Sequence, residues 1–392
     1  MRSYVVLSCA LVVFLAACGE DAPSPTAPDT GSTPAAGDLR AAGWYQVSAG
    51  NSHTCGVTTD NRAWCWGFAL LGDGSPYSQR LAPTAVAGGH EFREVSAGVD
   101  HTCGVTTDRR AWCWGGNSTG QLGDGSTSDR SVPTLVAGGH RFRSVAAGSF
   151  HSCGVTYPDN LVYCWGDNAF GKLGEGTTTE RHVPTATLLG LRFHRVSAGW
   201  DHNCGVTTDD LAYCWGRNRE GQVGDGSSIN RRQRPVPVAG GRAFRQVDAG
   251  LDYTCGVTTD GQAFCWGDGT WGQLGAGGTG SSRAPQAVAG GLHFDRISAG
   301  SFHVCAETRE NRAYCWGHNV FGSVGDGTDT QRARPVEVAG GRAFGQVSAG
   351  SFFTCGVATS DRAFCWGDNS NGQLGDGTRE TRSVPAPVAG AT

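Results

Sequence analysis

An all-β fold, a seven-bladed propeller of four-stranded antiparallel blades, is what this 392-residue sequence predicts, and three observations lead there. First, the segment HTCGVTTDNRAWCWG, residues 53–67, returns six more times in edited form, with its paired cysteines recurring every 48 to 51 residues. Second, each copy holds four short runs rich in Val, Phe, Tyr, Trp and Thr between glycine-rich breaks; in the fifth copy they are PVPVAG, FRQVDAG, YTCGVTT and QAFCWG. Third, no segment carries the three-and-four apolar spacing of an amphipathic helix over three turns. A period near 50 with several short strands per unit marks a propeller.

Ahead of the repeats, Arg2 precedes an apolar run, residues 5–17, that is too short to span a bilayer and ends in Leu15-Ala16-Ala17-Cys18. It resembles a bacterial lipoprotein signal, which implies that residues 1–18 form the signal segment and that Cys18 carries the lipid anchor. The alternative is an ordinary secretory signal with a chance cysteine. Gly19, where inner-membrane lipoproteins usually have aspartate, points to the outer membrane or cell surface. Residues 19–42 are mostly Pro, Ala, Ser, Thr, Gly and a few charges, a composition too poor in apolar side chains to fold, and are expected to be a disordered tether. Residues 43–392 are expected to form the propeller.

The last two runs of each copy should form a hairpin. If Thr259, Asp260 and Gly261 make a three-residue loop with Gly261 in the left-handed region, Thr258 pairs with Gln262 and Cys255 stands opposite Cys265. Asn61, Arg109, Asp210, Asn311 and Asp361 hold the corresponding loop position, mostly as residue types that tolerate positive φ. Facing cysteines on adjacent strands lie within bonding reach. Seven disulfides are expected: Cys55 with Cys65, Cys103 with Cys113, Cys153 with Cys164, Cys204 with Cys214, Cys255 with Cys265, Cys305 with Cys315 and Cys355 with Cys365. The third needs a longer loop, with Tyr157-Pro158 in its turn. A zinc or free-thiol role competes with this pairing, but no C-x2-C occurs. No metal or cofactor is expected.

Recurring AG..H, GVTTD, CWG.N..GQLGDG and P..V.GG resemble the repeat of the regulator-of-chromosome-condensation family over about residues 43–392. The resemblance implies a seven-bladed propeller of four-stranded blades. It also suggests chromatin contact and guanine-nucleotide exchange. The cysteine pairs and the leader depart from the eukaryotic members, and an exported protein would not meet those partners. The repeats begin at WYQVSAG, the second run of a unit, and end at SVPAPVAG, the first. The closing segment is therefore expected to complete the first blade and join the two ends.

Strand direction sorts the loops onto two faces. One carries the monotonous AGG and TTD turns; the other carries variable residues after each AG and before each GQLG. The candidate binding residues are Asp100, Phe150, Trp200, Asp201, Asp252, Phe302 and Phe352 after AG, and Phe170, Trp271 and Phe321 before GQLG. Aromatics and carboxylates on loops held by a stiff scaffold suit a binding face. The competing assignment packs them sideways between blades. The first copy, GFALLGDG, lacks two residues in this loop.

Chemistry is thinly signalled. His53, His101, His151, His202 and His303 share a register position with Tyr253 and Phe353, which fits packing rather than catalysis. The Asp of GDG becomes Glu175 and Ala276 in two copies and is read as a turn cap. Phosphate-loop, zinc-protease and serine-hydrolase motifs are missing from the sequence. The formal charge of −4, with one compact basic run at Arg231, Arg232 and Arg234, argues against nucleic acid. The expected function is a non-enzymatic, envelope-anchored module. It acts as a monomer, binds an exported or surface protein through the variable face and touches the membrane only through its anchor. A glycan-binding propeller is the alternative, followed by an envelope enzyme with a site at the central channel.

Overall fold

The computed structural model describes residues 42–390, and every regular element among them is a strand. Seven four-stranded antiparallel sheets span residues 44–85, 92–135, 142–186, 193–237, 244–287, 294–337 and 344–387, numbered here as blades 1 to 7. Blade 1 runs outward through β1 (Trp44–Ala49), β2 (His53–Thr58), β3 (Ala63–Ala69) and β4 (Ser78–Ala85), and the other blades repeat this order. Segments 1–18, with Cys18, and 19–41 lie outside the described residues. Among those described, no helix is long and apolar enough to cross a membrane.

Burial follows from radial position. Every second strand is buried along its full length, because both of its faces pack against neighbouring blades. Outer strands are only partly covered and present a free edge. Each carries a proline in its Pro-Thr, Pro-Val, Pro-Gln or Pro-Ala step (Pro83, Pro133, Pro184, Pro235, Pro285, Pro335, Pro385), which removes an amide donor from that edge and opposes pairing with another chain.

The hairpins take the expected register. Cys255 faces Cys265, and Thr258 N–H donates to the Gln262 carbonyl at 2.9 Å. Gly261 has φ 93°, and Asn61, Arg109, Asp210, Asn311 and Asp361 lie between 60° and 69°. In the longer third hairpin Asn160 takes this conformation at φ 60°, and Cys153 still meets Cys164. All seven predicted disulfides are present, with Cα atoms 4.0–4.1 Å apart. They belong to an oxidising, extracytoplasmic environment.

The ring closes, but not by sharing a blade between the two ends. Residues 78–85, which follow β3 directly, already supply the outer strand of blade 1, so residues 382–387 stay in blade 7. The units read from the sequence were offset by one strand. The seam is instead a blade-to-blade contact like the others. Gln346 Nε2 donates to Val47 O at 2.7 Å, Ala49 N–H donates to Ser348 Oγ at 3.0 Å, and Trp44 N–H donates to Asp361 O at 2.7 Å.

Two repeated networks bind neighbouring blades. In one, His101 Nε2 lies 2.8 Å from Ser152 Oγ of the next blade; Ser152 donates to Gln121 O at 2.9 Å, and Trp165 Nε1 donates to the same carbonyl at 2.9 Å. Because the hydroxyl proton is committed to the carbonyl, the imidazole is the donor and carries its proton on Nε2. His202 and His303 repeat the arrangement through Thr254 and Thr354. Tyr253 replaces the imidazole by donating to Gly300 O and His303 O at 3.0 and 2.7 Å.

The other network rings the axis. The amides of Asn51, Val99, Ser149, Trp200, Ser301 and Ser351 donate to the Gly98, Gly148, Gly199, Gly250, Gly350 and Gly50 carbonyls at 3.1–3.3 Å, so the last bond returns to the first blade. A Cβ on Gly98 would sit 2.3 Å from Gly148 O, which explains glycine in each AG pair.

Candidate binding face

Loops after the first and third strands of every blade share one face, as expected, and the AGG and TTD turns share the other. The GDG acid is held in the variable loops by more than a turn cap. Asp124 Oδ1 accepts from Ser126 N–H at 2.9 Å, while Oδ2 lies 2.6 Å from Arg130 Nη2 on the outer strand. Asp73, Glu175, Asp225, Asp326 and Asp376 pair with Arg80, Arg181, Arg232, Arg332 and Arg382 in the same way. In blade 5 both partners are replaced together, by Ala276 and Ser282.

Blade 1 departs from this plan. It has three residues fewer than blade 2 before GDG and one more after it, a net loss of two. β3 runs on to Ala69 and pairs with Ser78. The indole N–H of Trp114, which packs against Gly72 of this altered loop, has no partner among the described residues, although the other six receive one.

Of the ten predicted site residues, four aromatics come together across blades 5 to 7. Phe302 stacks on Phe352 with centroids 4.9 Å apart and planes at 16°, and Phe321 meets Phe352 edge-on at 5.3 Å. His318 joins them, 5.6 Å from Phe352, and links them to Trp271 at 4.9 Å. Trp271 and Phe321 are each 39% exposed and Val320 is 61% exposed, so the cluster opens to solvent. His318 was missed by sequence reasoning, and Val320, a variable residue of the same loop, was not among the chosen candidates. The signal was available: the position after CWG holds Asp, Arg or Gly in the other copies that keep the full loop, and an imidazole there is the outlier.

Blades 3 to 5 hold ions instead. Lys172 is fully buried where the other copies that keep the full loop have Gln or Ser, and its ammonium lies 2.6 Å from both Asp167 and Asp201. Arg217 continues the chain to Asp252 at 3.0 Å, and Gln222 Nε2 donates to the same carboxylate at 2.9 Å. Burial pushes the Asp252 carboxyl up; Arg217 opposes this, while the negative charges of Asp201, Glu220 and Asp268 add to it. Asp201 and Asp252 are thus members of a structural network as well as rim residues.

The remaining candidates stand apart. Asp100 accepts from Tyr77 Oη at 2.6 Å, and burial together with that bond pushes the Tyr77 phenol up. Phe170 lies under the Arg217 guanidinium at 5.7 Å, and Phe150 is 37% exposed. Trp200 borders the axial cavity, which has a volume of about 100 Å³ and is lined chiefly by the Ala-Gly pairs. Small-molecule sites usually enclose about 300–1,000 Å³. No group of three or more His, Cys, Asp or Glu side chains suited to a metal ion occurs among the described residues.

The family model of the RCC1-like domain matches residues 16–293 and 144–392. Among curated proteins, the ultraviolet-B receptor UVR8 of Arabidopsis thaliana is 32% identical over 119 residues, 30% of this chain and 27% of that protein. Human E3 ubiquitin-protein ligase HERC2 is 33% identical over 131 residues, 33% of this chain but 3% of HERC2. The chain therefore spans only a minor part of these relatives. Among solved structures, human WBSCR16 superposes with a TM-score of 0.75 at 21% identity, covering 84% of this chain and 94% of that one. Prp20p of Saccharomyces cerevisiae gives 0.75 at 20% identity, covering 91% and 89%. At such identities the structural likeness speaks for the fold, and it agrees with the model match across the repeats: the chain belongs to the RCC1-like domain family.

Proposed function

We propose that this chain is a non-enzymatic protein-binding propeller. It is held at a bacterial membrane, the outer membrane or the cell surface, by a lipid on Cys18, and it grips another exported or surface protein as a single copy through its variable face. The observation that carries the reading is the solvent-open aromatic cluster built on the stacked pair Phe302 and Phe352. Rigid aromatic rings on a stiff scaffold are the side chains that dominate protein interfaces. Protein binding is an attested use of this fold: Prp20p was reported with its binding to Gsp1p and histones. Those partners remain that protein's own, and nucleotide exchange does not follow for an exported chain.

A lectin-like propeller would be favoured by one equivalent pocket in each blade. The variable face offers aromatics in blades 5 to 7 and ion pairs in blades 3 to 5, an asymmetry that favours a protein. For a channel-centred enzyme, the axial cavity is small and lined mainly by alanine and glycine.

Affinity capture from envelope extract tests the reading, with the full-length protein and its Trp271→Ala/Phe302→Ala/Phe352→Ala variant compared at equal folded concentration. A partner retained by the parent and lost by the variant is expected. Identical capture by both would eliminate the variable face as the binding surface.

A further inference from the structure

The position just before each register histidine or its replacement divides the rim into two chemistries. It holds Asp201 and Asp252 in blades 4 and 5, then Phe302 and Phe352 in blades 6 and 7. The loop of blade 5 joins the halves, since Asp268 and Trp271 lie three residues apart within it. Trp271 reaches the aromatic side through His318, while Asp268 belongs to the carboxylates that crowd Asp252.

The acidic half is under-compensated. Asp167, Asp201, Glu220, Asp252 and Asp268 face Lys172, which is fully buried and consumed by two carboxylates, and Arg217, which is bound to Asp252. Arg219 reaches solvent at 73% exposure, beside Glu220 at 3.6 Å. Asp268 spends its oxygens on neutral donors, Gln273 Nε2 at 2.9 Å and Thr270 Oγ1 at 2.6 Å. The unbalanced negative charge therefore lies beside an apolar surface whose Val320, Phe321 and Trp271 are exposed.

We infer that the partner of this face is a cationic peptide segment, with a Lys or Arg beside a large apolar side chain. The apolar anchor covers Phe302, Phe321 and Phe352, and the cation meets Asp252, Asp268 and Glu220. Opposite charge across such a boundary sets orientation and association rate, while the desolvated aromatic anchor supplies most of the affinity. Trp271, at the boundary between the two halves, offers a ring face to the cation. This inference rests on the protein-binding reading above and adds the chemistry of what is bound.

Selection of short displayed random peptides on the immobilised full-length protein tests it, followed by binding of the selected synthetic peptides. Enrichment of Lys or Arg within a few positions of Phe, Trp or Leu is expected, with binding that weakens as salt rises. Glu220→Gln combined with Asp252→Asn should weaken it about tenfold. Phe352→Ala should weaken it without changing the salt dependence. Glu220→Gln alone, whose side chain is 38% exposed, should weaken binding in the same direction while leaving thermal unfolding unchanged, which separates charge from folding. Neutral or acidic selected peptides, or binding indifferent to the two carboxylate changes, would overturn the inference. If envelope capture still depends on the aromatic cluster, the protein-binding reading survives that outcome.

Discussion

Gln346 brackets Val47 across the seam between the last blade and the first: its Nε2 donates to the Val47 carbonyl at 2.7 Å and its Oε1 accepts from the Val47 amide at 3.0 Å. Gln46 treats Val95 the same way, at 2.9 and 3.0 Å, inside the ring. Chemically the seam is one more blade interface, so the ring needs no strand exchange. Gln346→Ala leaves a largely buried amide and carbonyl without partners and should cost about 1–3 kcal/mol. Gln46→Ala should cost a similar amount. Urea unfolding of both variants checks this, and a seam variant that alone melts the ring would show that the seam is special.

Acid should weaken the interfaces through the register histidines. Burial pulls His303 down to about 3, and His101, His151 and His202 likewise; His53 falls to about 4. Each imidazole already spends Nε2–H on its neighbour where the network is complete, and each Nδ1 is buried without a partner among the described residues. A second proton would have no acceptor. With the folded value below the unfolded 6.5, the stabilisation is present above pH 6.5 and is lost as pH falls towards 3–4, on the order of 4 kcal/mol per site at the limit. His303→Phe copies the residue that blade 7 already uses at position 353. It should be less stable than the parent at pH 7 by about 1 kcal/mol for the lost hydrogen bond. Below about pH 5 the order should reverse, and unfolding midpoints across pH would reveal whether it does.

Glu307 has the opposite sign. It replaces the valine found at this position in the other second strands, and it caps the Val347 amide as the Gln side chains do at other interfaces. Burial pushes its carboxyl up to about 7, with Arg296 opposing, and Oε2 has no partner among the described residues. A carboxyl raised above its unfolded value contributes stability below about pH 4.5 that is lost as pH rises through 7. Glu307→Gln keeps an acceptor for Val347 without the buried charge. It should match the parent at pH 4 and exceed it at pH 8 by up to about 3 kcal/mol. Between pH 4.5 and 6.5 the two trends collide, and five histidines outweigh one glutamate. Equal stability of parent and variant at pH 8 would mean that Glu307 reaches solvent.

The blades, the disulfide register and the two-faced sorting of loops were legible because each rests on local periodicity. Cys255 and Cys265 are placed by a three-residue hairpin loop and counting in twos, and no distant residue can alter that. The blade boundary was not legible. Whether residues 382–387 pair with blade 7 or blade 1 depends on which strand edge is vacant in space, and the repeated sequence is the same under either phase. The candidate face was legible as a set of positions but not as a surface. Phe302 and Phe352 are fifty residues apart and meet because successive blades set the same loop position side by side. Phe150, at that same position, finds no ring beside it because Asp100 and Asp201 flank it in the adjoining blades.

Lys172 shows how one residue reshapes such a surface. Gln121, Gln222, Gln273 and Gln373 occupy its position elsewhere, and all of them, like Lys172, present a backbone carbonyl to the next tryptophan. Only the lysine side chain adds a charge, fully buried and divided between Asp167 and Asp201. Lys172→Ala removes the cation from two partly buried carboxylates and should destabilise the protein by about 3–5 kcal/mol. Lys172→Gln should lose less, because Gln273 and Gln373 already donate to Asp268 and Asp368, the counterparts of Asp167, at 2.9 and 2.8 Å. Both variants leave the face more negative, so a cationic peptide should bind them at least as fast as the parent, whereas slower association would contradict the charge assigned to this rim. Calorimetry and stopped-flow binding on the same preparations separate the loss of stability from the gain in field.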